Sequence, residues 1–551
     1  MVIVIECKAN ARYHESKKRD KYDKYAVDGV INYASHLSRE FNVIALAISG
    51  SDKKNIKISN FLWLKEYAGY EELNSNTLLR VEDYFNCINN NEKNKKIQIS
   101  ELIKFSKELH NDMRDYAKLS ESEKPLLVSG ILIALKDPAF MSSYTKETSG
   151  RDLANSIISS IKKVLEHSNI EEAKRQNMIQ PYSFIQVHPI LVKDDVLMTL
   201  VNKIEKHVKP FINDKHNIDV LGQFYGEFLK YSAGDKKGLG IVLTPRHITE
   251  LFVKMAKLTN KSKILDPCCG SASFLISAMV DMIEKCKKDQ DSIDCVKKHC
   301  LFGVEQQPNM FALASSNMIL RGDGKSNLKL GSCFSFFDEL KKIGCNVGFI
   351  NPPYSQKGEG LSELDFVKNL LNVLQSNSIC IAIVPMSCGI GNSPIKQQVL
   401  DKHTLVAAMS MPDELFYPVG VITQILVFKT GIPHDSNVDT WFGYWKDDGF
   451  IKTKNEGRID KNHKWNEIMS RWLDMYFNNK EIPGYSVKHK VTASDEWCAE
   501  AYMETDYTDI TETDFIKEMK KYILFKMMNE DKLQSSMRNL SESGDDVIEN
   551  F

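Results

Sequence analysis

The chain has 551 residues, 42% apolar and 26% charged, with a formal net charge of -1 at pH 7. That length supports two to four domains with cores large enough to fold without disulfides or structural zinc, and the composition excludes global disorder. Near-neutrality excludes a protein that grips a duplex by bulk positive charge alone, so any such contact is local or shared with a partner.

The twelve cysteines are scattered without paired CxxC units, the pattern of reduced thiols. The opening Met1-Val2-Ile3-Val4-Ile5 runs straight into Glu6 and Lys8, without the basic flank and apolar length of a signal peptide. No apolar run reaches the length of a membrane span. A cytoplasmic chain without membrane contact is the expectation.

Residues 1–85 read as a small α/β module: a strand at Val2 to Ile5, a helix around Tyr25 to Arg39, and a strand at Asn42 to Ile48 closed by Ser49-Gly50. Residues 86–96 are too polar to bury and read as a linker. Residues 97–235 carry apolar positions at helical spacing, as in Leu102, Phe105, Leu109 and Met113 and again in Ile157, Ile158, Ile161 and Leu165, and are expected to be a helical domain. Across 236–432 short apolar strands alternate with helical stretches, the signature of a parallel sheet covered by helices on both faces. Residues 433–551, rich in Trp, Lys and Asp, form a C-terminal extension to which the sequence assigns no chemistry.

Three successive strand ends in 236–432 carry polar motifs. The first, Ile264-Leu265-Asp266, runs into Pro267-Cys268-Cys269-Gly270-Ser271-Ala272-Ser273-Phe274. Its small side chains at 270 to 273 let a ligand approach the backbone where a doubly wound sheet binds cofactors. Taken alone the signal is weak, and an ordinary strand-to-helix turn is an equal reading. The second, Phe302-Gly303-Val304-Glu305, ends in an acid able to accept two hydrogen bonds from a ribose diol.

The third, Gly348-Phe349-Ile350-Asn351-Pro352-Pro353-Tyr354, drives a strand into a loop locked by two prolines, which removes two backbone donors and leaves acceptors. The Asn351 side-chain oxygen and the Pro352 carbonyl offer two acceptors to one amine, and the Tyr354 ring offers a stacking face. An exocyclic amine holds its lone pair in the ring's π system. Two acceptors on its N–H groups draw the nitrogen towards tetrahedral geometry and free that pair for an electrophilic methyl, with positioning rather than a strong base supplying the acceleration.

These motifs, in this order, resemble the modification subunits of type I restriction systems and the related fused enzymes among DNA adenine N6-methyltransferases. The resemblance spans about Leu221 to Lys429, from Thr244-Pro245-Arg246-His247 through Ala314-Ser315-Ser316-Asn317 and Ile383-Val384-Pro385 to Met411-Pro412-Asp413-Glu414-Leu415-Phe416-Tyr417-Pro418. It implies a Rossmann-like α/β methyltransferase domain preceded by a helical domain. It implies S-adenosylmethionine held by Thr244, Pro245, Asp266, Gly270, Ser271, Phe274, Glu305 and Asn351, with Asn351, Pro352, Pro353 and Tyr354 as the catalytic loop acting on an adenine turned out of double-stranded DNA. It also implies a separate DNA specificity subunit and a second copy of the chain in the complex. Two departures stand out: Ala272 and Ser273 replace further loop glycines, and Gly331-Ser332-Cys333 lacks the acid usual near the adenine pocket.

Separately, Ile5-Glu6-Cys7-Lys8-Ala9 resembles the E-x-K half of a PD-(D/E)xK nuclease site, in which Glu6 would help hold Mg²⁺ and Lys8 would stabilise charge. The Asp that completes that site lies upstream in the family, so a truncated or inactive nuclease module, or a reading frame that starts before Met1, is expected, with Mg²⁺ needed only if the module is active; the alternative is that Glu6 and Lys8 are surface residues on an edge strand. Two alternatives to DNA methylation remain: a methyltransferase of release-factor glutamine amides, which use the same tetrapeptide, and a catalytically silent assembly subunit.

Overall fold

A computed structural model describes residues 1–208, 224, 244–504 and 511–523, apart from 53–54, 66–68, 74, 90–91, 168–171, 194, 288, 323–326, 357, 418 and 454–456. Four strands, β1 (Val2–Lys8), β2 (Val43–Ser49), β3 (Lys57–Trp63) and β4 (Tyr70–Leu73), form a sheet in that order. β1 and β2 are parallel, so a crossover is required, and helix Ala26–Leu37 supplies it. That helix lays Ala26, Val27, Val30, Ile31 and Ala34 over one face of β2, while Tyr84 and Ile88 of helix Val81–Asn89 cover Ile44 and Leu46 on the other. Covered on both faces, β2 is a continuous apolar run rather than an alternating one.

Within the expected linker at 86–96, residues 86–89 belong to helix Val81–Asn89 and residues 92–96 open helix Glu92–Asp115. Glu92, Lys93, Lys95 and Lys96 are good helix formers, and polarity reports solvation rather than loss of helix. Beyond it the chain continues in helices as far as helix Val196–His207. Leu102, Phe105, Leu109, Met113, Ile157, Ile158, Ile161 and Leu165 are all buried in one core. At its centre helix Glu123–Ala134 is buried on nearly every side. The Tyr182 hydroxyl there meets Ser129 Oγ at 2.9 Å and also Ser316 Oγ on helix Pro308–Leu320. Lys136 Nζ donates to the carbonyls of Ile319 and Leu320 at 3.0 and 3.2 Å, satisfying the C-terminal end of the same helix. The start of the resemblance, at Leu221, lies outside the described residues.

The remaining strands are β5 (Ile264–Asp266), β6 (Leu301–Glu305), β7 (Leu328–Leu330), β8 (Val347–Ile350), β9 (Ile379–Pro385), β10 (Thr404–Ser410), β11 (Thr423–Lys429), β12 (Thr440–Tyr444), a small hairpin of β13 (Ile451–Thr453) and β14 (Gly457–Ile459), and β15 (Ser486–His489). Nine of them make one sheet in the order β15-β12-β10-β11-β9-β8-β5-β6-β7. β5 to β9 are mutually parallel, as expected. The expectation fails at β11, which runs antiparallel between β9 and β10; no crossover helix separates β10 from β11, so they pair as antiparallel neighbours.

The boundary expected at 432 also fails. β12 pairs with β10 and β15 with β12, so the sheet runs through it. Trp445 and Trp472 stack with centroids 4.7 Å apart, and helix Trp465–Phe477 lies against helix Arg246–Met255. Large aromatic area buried against the sheet makes this segment part of one core. Among the described residues no single helix is long and apolar enough to cross a membrane. From β5 the chain winds to β6 and β7 on one side, then returns to β8 and β9 on the other, opening a crevice at the carboxyl ends of β5 and β8.

Candidate active site

The loop after β5 turns on two left-handed residues, Gly270 at φ +52° and Ala272 at φ +67°, the latter capping helix Ser273–Lys285. The turn brings the Gly270 N–H to Glu305 Oε2 at 2.9 Å, and Glu305 Oε1 accepts the Gln307 N–H at 2.8 Å. Burial raises the Glu305 carboxyl above its ordinary value, against the pull of those N–H groups. Ser271 is buried, and its carbonyl accepts Asn317 Nδ2 at 3.1 Å. Phe274 packs below, 4.8 Å from Phe252 and 5.6 Å from Phe349 of β8, so one aromatic cluster supports both loops.

Asp266 is 1% exposed. Its Oδ1 accepts the Cys268 N–H at 3.1 Å, and its Oδ2 has no hydrogen-bond partner among the described residues. Burial pushes its carboxyl up to about 8, opposed by the Cys268 N–H and reinforced by Glu305. Where the usual adenine-side acid is absent, the Cys333 thiol meets that of Cys268, an interaction that raises Cys268 and lowers Cys333.

At the end of β8, Asn351 Nδ2 donates to Thr244 Oγ1 at 2.9 Å. An amide held through its nitrogen edge turns its oxygen edge the other way. Pro352 is buried and Pro353 half-buried. The Tyr354 ring lies edge-on to Phe416 at 6.1 Å, its hydroxyl without a hydrogen-bond partner among the described residues, and burial drives its pKa up. Tyr354 is therefore a neutral aromatic surface.

These residues fit the expected cofactor. The buried Asp266 Oδ2, without a partner among the described residues, is open to a polar group, a Cβ built at Gly270 would meet nothing nearer than Met310 Cε at 4.0 Å, and Glu305 keeps lone pairs beyond its backbone contacts. Sequence reasoning missed a second group. His247 Nε2 meets Asp448 Oδ2 at 3.1 Å, and Arg458 holds both oxygens of Asp448 at 2.9 and 2.5 Å. Asp448 and Arg458 lie beyond the expected domain boundary, and their only sequence signal is one of two adjacent acids and a single Arg, 201 and more residues from His247.

In the N-terminal module Glu6 and Lys8 lie on β1, an edge strand, and form an ion pair at 2.9 Å; Lys8 also donates to the Asp23 carbonyl. Among the described residues no group of three or more His, Cys, Asp or Glu side chains converges as a metal site.

The N-6 DNA methylase family model matches residues 216–531. The type II restriction enzyme and methyltransferase RM.BcgI of Heyndrickxia coagulans is 32% identical over 530 residues, 91% of this chain and 83% of that protein. The EcoKI type I methylase subunit of Escherichia coli K12 is 26% identical over 40% of this chain and 46% of its own length. Among solved structures, a type I restriction-modification assembly aligns over 81% of this chain and 99% of that chain with TM-score 0.55 at 16% identity. The type I methyltransferase subunit from Streptococcus thermophilus aligns over 74% and 100% with TM-score 0.52 at 15% identity, and both likenesses concern the fold. By its family match and by its extended likeness to RM.BcgI, the chain belongs to the N-6 DNA methylase family, the adenine N6-methyltransferases of restriction-modification systems.

Proposed function

We propose that Asn351 and the Pro352 carbonyl accept the two N–H groups of an adenine turned out of double-stranded DNA, that Pro353 stiffens their loop, and that Tyr354 stacks on the base. The observation that carries this is the Asn351 amide, held through its nitrogen by Thr244 at the strand-order reversal beside the Gly270 turn. In this reading Thr244 and Pro245 border the cofactor, Ser271 and Phe274 shape its floor, Asp266 and Gly270 face its polar groups, and Glu305 takes the ribose hydroxyls. Bound S-adenosylmethionine supplies the electrophilic methyl. The residues themselves desolvate the amine, orient its lone pair and hold the neutral Tyr354 face against the ring.

With a net charge of -1, the chain shares its DNA grip, and we assign sequence readout to a separate specificity subunit, with a second copy of this chain in the assembly. The N-terminal module is assigned no cleavage, since Lys8 is engaged by Glu6 and by the Asp23 carbonyl. The test is transfer of labelled methyl from S-adenosylmethionine to DNA by the assembly purified from cells expressing the chain with its neighbouring genes. Loss of label with Asn351→Ala supports the site. Label on a release-factor glutamine instead of DNA would favour the amide-methylating alternative, and unchanged DNA label with Asn351→Ala would leave the chain a silent subunit.

A further inference from the structure

A line of contacts runs from the catalytic loop into the tail. Asn351 Nδ2 donates to Thr244 Oγ1 at 2.9 Å, and the next residue, Pro245 (φ -57°, ψ 140°), leads directly into helix Arg246–Met255. Proline fixes that junction, so Thr244 stands wherever the first turn of the helix stands. The first turn is held by His247. Its ring stacks on Phe450 at 4.0 Å and meets Trp465 edge-on at 4.9 Å, and its Nε2 reaches Asp448.

Asp448 is 1% exposed, takes both guanidinium arms of Arg458, and accepts the Phe450 N–H at 3.0 Å. Ionised by that pairing, it only accepts, so His247 donates from Nε2, while burial holds the imidazole below its ordinary pKa. Phe450 and Arg458 belong to the turn and hairpin of β13 and β14, closed again by Arg458 Nη2 on the Phe450 carbonyl at 3.3 Å. Buried charge pairs of this kind fix geometry more than they add stability.

We propose that Thr244 is a positioning residue for the Asn351 amide, and that the Asp448–Arg458 pair, acting through His247, sets where Thr244 stands. This rests on Asn351 as acceptor for the target amine. It makes the segment that carries Asp448 and Arg458 part of the methyl-transfer machinery, acting through His247.

The test uses the assembly purified as above, with kcat measured at saturating DNA and the Kd for S-adenosylmethionine measured by calorimetry. Thr244→Val, isosteric but unable to accept, lowers kcat at saturating S-adenosylmethionine roughly tenfold, the worth of one hydrogen bond, a loss larger than any accompanying change in Kd. Thr244→Ser restores most of the rate. Thr244→Val and Asn351→Ala together lower the unfolding temperature no more than the larger single effect, because both remove one contact. His247→Asn, which leaves the Asp448–Arg458 pair intact, lowers kcat without moving Kd.

A Thr244→Val enzyme with full kcat, or one whose Kd rises while kcat holds, overturns the positioning role and makes Thr244 a cofactor contact only. Additive unfolding losses overturn it as well. Full kcat in His247→Asn overturns the link to the tail. If Asn351→Ala itself keeps full activity, the active-site reading falls; if only the Thr244 and His247 results fail, that reading stands.

Discussion

The Glu305 carboxylate accepts the Gly270 N–H at 2.9 Å, so the acid at the end of β6 fixes the left-handed turn at the end of β5. Its other oxygen accepts the Gln307 N–H, so an NH₂ at either position would face a backbone N–H. Glu305→Gln therefore sets an amide NH₂ against a backbone N–H and costs about 1–3 kcal/mol of local stability. The expected outcome is a rise of roughly tenfold or more in the Kd for S-adenosylmethionine, with kcat at saturation little changed. Calorimetry with steady-state rates checks it, and an unchanged Kd would remove Glu305 from the cofactor site.

Asp266 gives a pH dependence. Burial pushes its carboxyl up to about 8 in the fold from an ordinary 3.8, so between those values the folded state binds the proton that the unfolded state has released. Stability from this group is therefore greatest at low pH and is lost as pH rises towards 8. Buried His14, His110 and His247, all lowered chiefly by desolvation, act in the opposite sense below about pH 6.5. The decisive quantity is the difference between the parent and Asp266→Asn: the variant's advantage in unfolding temperature grows from pH 5 to pH 8. A constant difference would mean that Asp266 is solvated enough to ionise normally.

The sequence made the three strand ends readable because each is local: an apolar run of three to five residues, a turn, and a polar group at its tip. Asp266, Glu305 and Asn351 therefore stand at the ends of neighbouring strands as expected. What it hid was non-local. β12 and β15 are short, their neighbours β10 and β12 lie tens of residues away, and the ring pair of Trp445 with Trp472 has no periodic signature. The 86–96 run misled because Lys, Glu and Asn look alike in a solvated helix and in a linker.

Ala272 occupies a conformation that glycine tolerates better, at φ +67°. The left-handed region costs an L-residue about 1–2 kcal/mol, offset in part by the chain entropy of glycine. Ala272→Gly is expected to stabilise the chain by about 0.5–1 kcal/mol in urea unfolding. A loss of stability would show that packing of the buried Ala272 methyl outweighs the relief of strain.

The N-terminal module makes its own prediction. With Glu6 and Lys8 paired to each other on an edge strand, the chain with Mg²⁺ leaves supercoiled plasmid intact, and Glu6→Ala behaves like the parent. Cofactor-stimulated cutting that disappears in Glu6→Ala would restore the nuclease reading.

Asp448 and Arg458 separate stability from positioning. Removing one member of a buried pair leaves the other charge uncompensated, so Asp448→Ala costs about 3–5 kcal/mol in urea unfolding. Replacing both, Asp448→Leu with Arg458→Met, removes both charges at similar volume and recovers most of that loss, since buried ion pairs exchange for apolar groups at little net cost. The same double variant still lacks the oxygen that receives His247 Nε2, so the first turn of helix Arg246–Met255 keeps its ring stacking but loses its polar anchor. The expected outcome is a chain of near-parental stability whose kcat stays below the parent by about the factor seen in His247→Asn. Recovery of kcat together with stability would show that the tail supports this helix by packing alone.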